Sequence, residues 1–469
     1  MLRAKHYIIL MPSMAKKFYR QSSAVLSGDD FLFWLYDKYF GDGGANQRLS
    51  AEHFHSIHRA LNSMLRDPFL SEATAKTQRL IEERTPGMVS FASNPAEQNQ
   101  WERFADVSVR DKGSVEADLY RLIMDYVADI TSNTLMGSAF PKNNPGLYND
   151  VWTFDEGFGT LLWGIPGITS GIGKAKAARE RLSTAIMDWH RALVSTLSGQ
   201  DPDPKWGDLS DVSEPMLART KALLAANAEE GAALTTQLGL YWSSLVNLNK
   251  VIFWMLLEII LNPDLEAQIK AEIAPFCKVV NTDQGENRRG GQLKMDIDAL
   301  MKACPLLRAT FYETMRLYTD GIPYRKVRQD LSLTEGVEDL AAFGKSKPQT
   351  YTVKAGNFLI LPTGKMHMDR RVWPAPDKFD PSRFVVRDDD SPKKMRADLL
   401  HLNPFGGGAS MCKGRLYADR EVPFFVAAFL TVWEFRLEEG FKKPELVYWG
   451  SGTASPKTPI RVRISRRAW

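Results

Sequence analysis

The stretch Asn403-Pro404-Phe405-Gly406-Gly407-Gly408-Ala409-Ser410-Met411-Cys412-Lys413-Gly414-Arg415 constrains this chain more than any other: it sets one cysteine in a glycine-rich loop ahead of a helix-like run. The thiolate is the metal-binding form of cysteine, and a neighbouring metal, cations and a helix N-terminus all favour it. Lys413, Arg415 and the amides opening the next helix lower the cost of that charge. The glycines allow backbone to approach a flat ligand and to aim N–H groups at the sulfur. Such hydrogen bonds tune a metal–thiolate bond. The plainer reading is a buried cysteine in a glycine turn, since free Cys is usually buried.

The 469 residues are 44% hydrophobic and 25% charged, an ordinary globular composition with ample length for a large core. Length alone suggests about three domains. A formal charge of +4 is small for this size and makes no case for nucleic-acid binding, which calls for a concentrated basic face. The three cysteines, Cys277, Cys304 and Cys412, are odd in number and widely spaced. They form no disulfide framework or zinc pattern, so a reducing compartment fits best. The longest apolar run, Val251 to Leu261, contains Glu258 and falls short of the ~20 residues that cross a bilayer. The N-terminal run Tyr7-Ile8-Ile9-Leu10 is too short for a signal peptide.

Taken in order, His6 to Met11 reads as a strand, followed by a helix and aromatic segments around Phe31 to Phe40. Residues 51–88 read as helical, with Phe54, Ile57, Leu61 and Leu65 on one face. His53, His55 and His58 crowd that helix but lack the third ligand a metal site needs. Met136 to Asp150 is a breaker cluster, and Phe154 to Ile168 is apolar. Gly199 to Asp211 is a polar turn, and Gly285 to Gly291 a polar loop. A long helix spans Gly231 to Leu261 and stops at Asn262-Pro263. Cys304 to Tyr318 is helical, Arg325 to Ile360 strand-rich, and Pro362 to Phe384 loop-rich. Val422 to Leu437 reads as an apolar helix, kinked at Pro423 if it begins near Cys412. The tail from Lys442 suggests closing strands. The chain reads as mainly α with a minor β portion, in one large domain.

Phe405-x-x-Gly408-x-x-x-Cys412-x-Gly414 resembles the haem-ligand loop of the cytochrome P450 family. Glu313-Thr314-Met315-Arg316 and Pro381-Ser382-Arg383-Phe384 precede it in the order in which that family keeps its Glu-x-x-Arg and Pro-x-Arg-Phe segments. The resemblance implies the P450 fold over residues 1–469, haem b as cofactor and Cys412 as its axial ligand, with Phe405, Gly408 and Gly414 shaping the loop. It implies that Glu313, Arg316 and Arg383 form a buried structural network, tolerable only if every charge is paired. Arg325 stands where the family keeps an arginine for a haem propionate, and bidentate geometry suits that carboxylate. The family's Trp-x-x-x-Arg pattern is missing from the helix around residue 55, which leaves His58 and Arg59 as cofactor candidates. The family often has Arg two residues before the cysteine, where this chain has Ser410. An anchor, proline-rich hinge, first helix and two strands precede this point in membrane-bound relatives, so the chain reads as N-terminally shortened.

On the long helix the family's acid–alcohol pair falls on Val246 and Asn247. Val246 cannot relay a proton, and Asn247 forms hydrogen bonds without readily exchanging its own protons. Asn247 is the catalytic candidate; alternatively it only supports the helix. Trp242-Ser243-Ser244-Leu245-Val246-Asn247 with Phe253-Trp254 is similar to the branch of sterol 7- and 12-hydroxylases and prostacyclin synthase, and the cysteine phrase to its fungal relatives, often enzymes of secondary metabolism. The resemblance implies a monooxygenase using O2 on an apolar terpenoid, steroid or polyketide-like molecule. Electrons would come from NADPH through NADPH-cytochrome P450 reductase, on a face made positive by Lys393, Lys394, Lys413 and Arg415. Two alternatives stay open: a peroxide isomerase or dehydratase, and a haem-poor non-catalytic relative. The implied location is the cytosolic face of the endoplasmic reticulum, with peripheral contact near Trp163, or the cytoplasm.

Overall fold

In the computed structural model the described residues are 4–163, 171–280, 291–387, 395–448 and 452–467. Helices dominate, and strands are confined to short sheets. One four-stranded sheet runs His6–Ile8, Phe358–Ile360, Tyr324–Val327, Leu26–Ser27, with the first pair parallel and the others antiparallel. A second joins Trp433–Leu437, Arg461–Arg466, Ser114–Asp118 and Ser108–Asp111, all antiparallel.

The helix Glu230–Ile260 is predominantly apolar, and a helix of that kind belongs in a core. By length and composition it would span a membrane, but 72% of its most apolar window is buried inside the protein. Its first half, Leu238 to Val246, packs into one apolar cluster, and its second, Val251 to Ile259, into another. The junction is pinned by a buried ion pair: Lys250 Nζ lies 2.6 Å from Asp155 Oδ2. The helix stops as expected. Asn262 takes up extended backbone, accepts from Leu265 N at 3.2 Å, and Pro263 opens the next helix, Pro263–Ile273, where its missing N–H costs nothing. A third cluster lies where the helix Pro12–Tyr19 covers the first sheet.

One expectation changes. The apolar helix read at Val422 to Leu437 runs from Arg415 to Val432, and Trp433–Leu437 is a strand paired with Arg461–Arg466. Its alternating burial follows the strand period, and Trp433 donates to Thr85 O at 3.0 Å. The helix passes through Pro423, which has no N–H to give the carbonyl of Asp419. Asp419 is held from outside by Arg308 and Tyr312, each at 3.0 Å. The aromatic segment after Leu26 is a helix, Asp29–Leu35, that widens into a π-turn, Tyr36–Phe40, and ends at Gly41 with φ +82°. Gly285–Gly290, Lys393 and Lys394 fall outside the described residues, as do residues 164–170 of the apolar stretch and the Trp163 side chain.

Candidate active site

The cysteine loop closes on itself: Cys412 N donates to Phe405 O at 3.0 Å, and Phe405 packs partly buried against the main core. Gly414 caps the helix Arg415–Val432, and its pro-Cβ position lies 3.9 Å from Cys412 Sγ. Gly406 and Gly408 have φ of +69° and +65°, where glycine is favoured. The glycines also serve a neighbour that the sequence did not suggest. A Cβ on Gly407 would sit 2.4 Å from the Tyr19 ring, and one on Gly408 would sit 2.2 Å from Tyr19 O.

Cys412 is exposed by accessible surface, and yet burial pushes its thiol pKa up. Both hold if the open side of the sulfur faces a cleft walled by protein rather than bulk water. The amides of Gly414 and Arg415 and the charges of Arg415 and Lys413 pull the pKa the other way. Both cationic heads also brace the loop, Arg415 donating to Cys412 O at 2.9 Å and Lys413 to Ala409 O at 3.3 Å. An additional positive centre at the sulfur would complete the stabilisation of the thiolate.

The long helix packs on the cysteine helix and carries one open stripe. Ser243 is exposed and Ser244 and Asn247 are half-buried, while Tyr241, Trp242, Leu245, Val246, Asn249 and Lys250 are buried. Ser243 and Ser244 donate back to Leu240 O and Tyr241 O, at 3.0 and 2.7 Å. Asn247 Oδ1 accepts from Thr453 Oγ1 at 2.9 Å, and Gly452 and Gly321 lie alongside. Val246 is fully buried among apolar side chains.

Glu313 and Arg316 form a bidentate pair, at 2.7 and 2.8 Å, with both side chains fully buried. Arg316 also donates to His367 O at 2.9 Å and Lys378 O at 3.2 Å, and Asp380 N donates to Glu313 at 2.8 Å. Arg383 reaches Glu313 at 3.4 Å and the carbonyls of Pro374 and Ala375 at 2.6 and 2.9 Å. The trio thus knots the helix Pro305–Tyr318 to residues 367–383. His367 and Trp373 of that segment then line a small cavity with Asn403, at the start of the cysteine loop.

Arg325 is a desolvated cation whose pKa burial lowers. Among the described residues no carboxylate lies within ion-pair distance of it, and its Nη1 donates to Tyr324 O at 3.1 Å. Arg59 is exposed and makes no hydrogen bond or ion pair among the described residues. His58 is different from the sequence expectation. Its Nδ1 faces Phe54 O at 2.8 Å and its Nε2 faces Tyr36 Oη at 3.0 Å, so both ring nitrogens are spent. Burial and nearby Arg219 hold its pKa down to about 4, leaving it neutral. His55 bonds Asp29 at 3.2 Å, and among the described residues no cluster of metal-ligating side chains exists.

Tyr19, Thr453 and the Lys250–Asp155 pair escaped sequence reasoning. Each partner stands far away in the chain, Thr453 206 positions from Asn247, and no local period marks such a contact.

The cytochrome P450 family model matches residues 229–464, half of the chain, and the chain belongs to the cytochrome P450 family. Haem iron is the cofactor that this family implies. The cytochrome P450 monooxygenase efuG of Hormonema carpetanum is 25% identical over 87% of this chain and 71% of its own length. Mouse cytochrome P450 7B1 is 23% identical over 73% of this chain and 63% of its own. The chain spans 60% to 71% of the length of the first curated relatives it matches. A cyanobacterial CYP120A1 solved with retinoic acid shares the fold, with a TM-score of 0.65 over 98% of this chain and 89% of that one, at 18% identity.

Proposed function

We propose that this chain is one haem domain of a haem-thiolate monooxygenase, inserting one oxygen atom from O2 into a C–H bond of an apolar small molecule. The observation that carries this reading is the accessible thiol of Cys412 in its glycine loop, directly ahead of the helix that packs on the long helix. The residues present fit a haem: a sulfur ligand backed by two amides, and cations at Arg325 and Arg59 with no carboxylate within ion-pair distance among the described residues. When bound, haem supplies the activation of dioxygen, and the thiolate favours O–O cleavage.

The chain's own residues then divide the work. The Gly414 and Arg415 amides and the Lys413 and Arg415 charges offset part of the cost of a thiolate, and a bound metal would complete it. The Glu313–Arg316–Arg383 knot fixes the segment leading into the loop. Ser243, Ser244 and the free Nδ2 of Asn247 give water or a substrate hydroxyl the hydrogen-bond partners needed to deliver protons, since Val246 cannot. A substrate pocket of the mostly apolar kind usual for small-molecule sites would favour a terpenoid, steroid or polyketide-like substrate over a charged one. The fungal monooxygenases among the relatives support the monooxygenase reading. Electron supply from NADPH through a reductase, and residence at the cytosolic face of the endoplasmic reticulum, belong to the same proposal on family grounds.

A second reading is favoured by one observation. The Val246 side chain is fully buried and Asn247 Oδ1 is engaged by Thr453, so the acid–alcohol relay has no direct replacement. A peroxide isomerase needs no such relay. Reduced protein under carbon monoxide should give the thiolate-haem band of the family, and Cys412→Ser should abolish it. Product formation that requires NADPH and reductase supports the monooxygenase. Turnover of a peroxide substrate without either overturns it in favour of the isomerase.

A further inference from the structure

We propose that the Tyr19 hydroxyl, together with Arg325, is a carboxylate anchor that holds one haem propionate, taking over from the arginine that Ser410 replaces. The inference rests on the haem-thiolate reading above.

Tyr19 ends the helix Pro12–Tyr19, and its ring lies under the cysteine loop, in the space that only glycine at 407 and 408 leaves free. Its hydroxyl oxygen is shut off from solvent and has no hydrogen-bond partner. A buried phenol with nothing to bond is uncommon, because an unmet donor bears its full desolvation cost. An acceptor brought by a ligand would meet it. The charged group acting electrostatically on this hydroxyl is Arg325, whose guanidinium rests over Gly28, 3.0 Å from where a Cβ would stand. Residues 325 and 327 share one face of the strand, and Val327 belongs to the cluster against which Tyr19 packs. Tyr324 and Lys326 on the other face are bonded to His6 and Asp30.

A phenol donor whose ring packs on the cysteine loop, and a guanidinium fork that acts on it and has no carboxylate within ion-pair distance among the described residues, match a carboxylate in type and charge. Asp29 acts on Arg325 only from beyond ion-pair distance, so a carboxylate would satisfy the phenol and the cation together. The porphyrin carboxylates are the anions that binding at Cys412 brings to this neighbourhood.

The experiment is haem loss from the purified holoprotein to an excess of apomyoglobin, followed spectroscopically, with the reduction potential measured alongside. Tyr19→Phe removes one oxygen and leaves the ring against Gly407. It should speed haem loss on the order of 10-fold, the value of one hydrogen bond to a charged group, and lower the potential. The thiolate-haem band should be retained. Tyr19→Phe/Ser410→Arg should recover slow loss by restoring the guanidinium at 410. Tyr19→Phe/Arg325→Gln should be less than additive, since the two groups share one ligand. Loss rate and potential unchanged in Tyr19→Phe overturn this inference while leaving Cys412 ligation standing. Loss of the thiolate band only in Cys412→Ser supports that ligation; a wild type with no such band overturns both. Should Tyr19→Phe fail to fold, Ser410→Arg alone decides: slower haem loss supports a carboxylate at this spot, and an unchanged rate overturns it.

Discussion

Thr453 Oγ1 donates to Asn247 Oδ1 at 2.9 Å, joining a strand-rich segment near the C-terminus to the middle of the longest helix. The bond uses the asparagine carbonyl and leaves its two N–H donors for the cleft. It also ties Asn247 to a segment held by Trp254, which donates to Ala454 O at 2.8 Å. Asn247 therefore has a structural and a proposed chemical task, and they separate experimentally.

Asn247→Ala loses both tasks, Thr453→Val only the shared bond. Both should lower stability by about 1 kcal/mol, the net worth of one such bond. Asn247→Ala alone should cut product formed per NADPH consumed, by ~10²-fold if positioned proton delivery is lost. Equal coupling in the two variants, read beside their melting temperatures, removes Asn247 from the chemistry.

Arg316→Lys should be far from conservative. The guanidinium makes two bonds to Glu313 and reaches two carbonyls, and an ammonium cannot reproduce that fork. Breaking a buried pair of this kind costs ~3–5 kcal/mol. Denaturant unfolding and haem content of the soluble fraction measure it, and a variant within ~1 kcal/mol of wild type refutes the knot.

Gly407→Ala should reduce haem content, because its methyl would fall 2.4 Å from the Tyr19 ring. Gly173→Ala supplies the contrast. It lies exposed in the helix Ile172–Leu197 with nothing within 4 Å, so alanine there should stabilise by up to ~1 kcal/mol. Haem absorbance per protein and melting temperature report both.

Stability should fall as pH drops from 7 towards 4. Burial lowers His58 and His190 from 6.5 to about 4 and His367 to about 3. Between those values and 6.5 the unfolded chain binds more protons than the folded one, so acid favours unfolding, and the stabilising contribution is fully present only above 6.5. His190→Gln should flatten the loss between pH 7 and 5 in urea titrations. An unchanged slope means that His190 is accessible to protons in the folded state.

Glu421 has the opposite sign. Burial raises it from 4.5 to about 8, so its contribution is full below 4.5 and is lost as pH rises towards 8. Its carboxyl lies 3.1 Å from Tyr417 Oη and 3.4 Å from Thr131 Oγ1. Glu421→Gln keeps the shape of the protonated acid and should gain stability relative to wild type as pH climbs from 6 to 9. A constant difference across that range contradicts the raised pKa.

Features that depend on neighbours along the chain were legible in the sequence. The cysteine loop, the Glu313–Arg316 spacing and the end of the long helix at Asn262-Pro263 are local patterns, governed by backbone freedom, helical period and proline geometry. The mainly α fold followed from the same signals. The boundary at Val432 was hidden because an apolar run serves a buried helix or a buried strand equally well, and pairing with Arg461–Arg466 decides between them. Only the tertiary structure decided that His58 spends both nitrogens on Phe54 and Tyr36, that Tyr19 fills the space beneath Gly407, and that Asn247 meets Thr453. Those outcomes turn on which distant side chains share a low-dielectric pocket, and the desolvation that shifts a pKa or strands a hydroxyl arises only when the pocket closes.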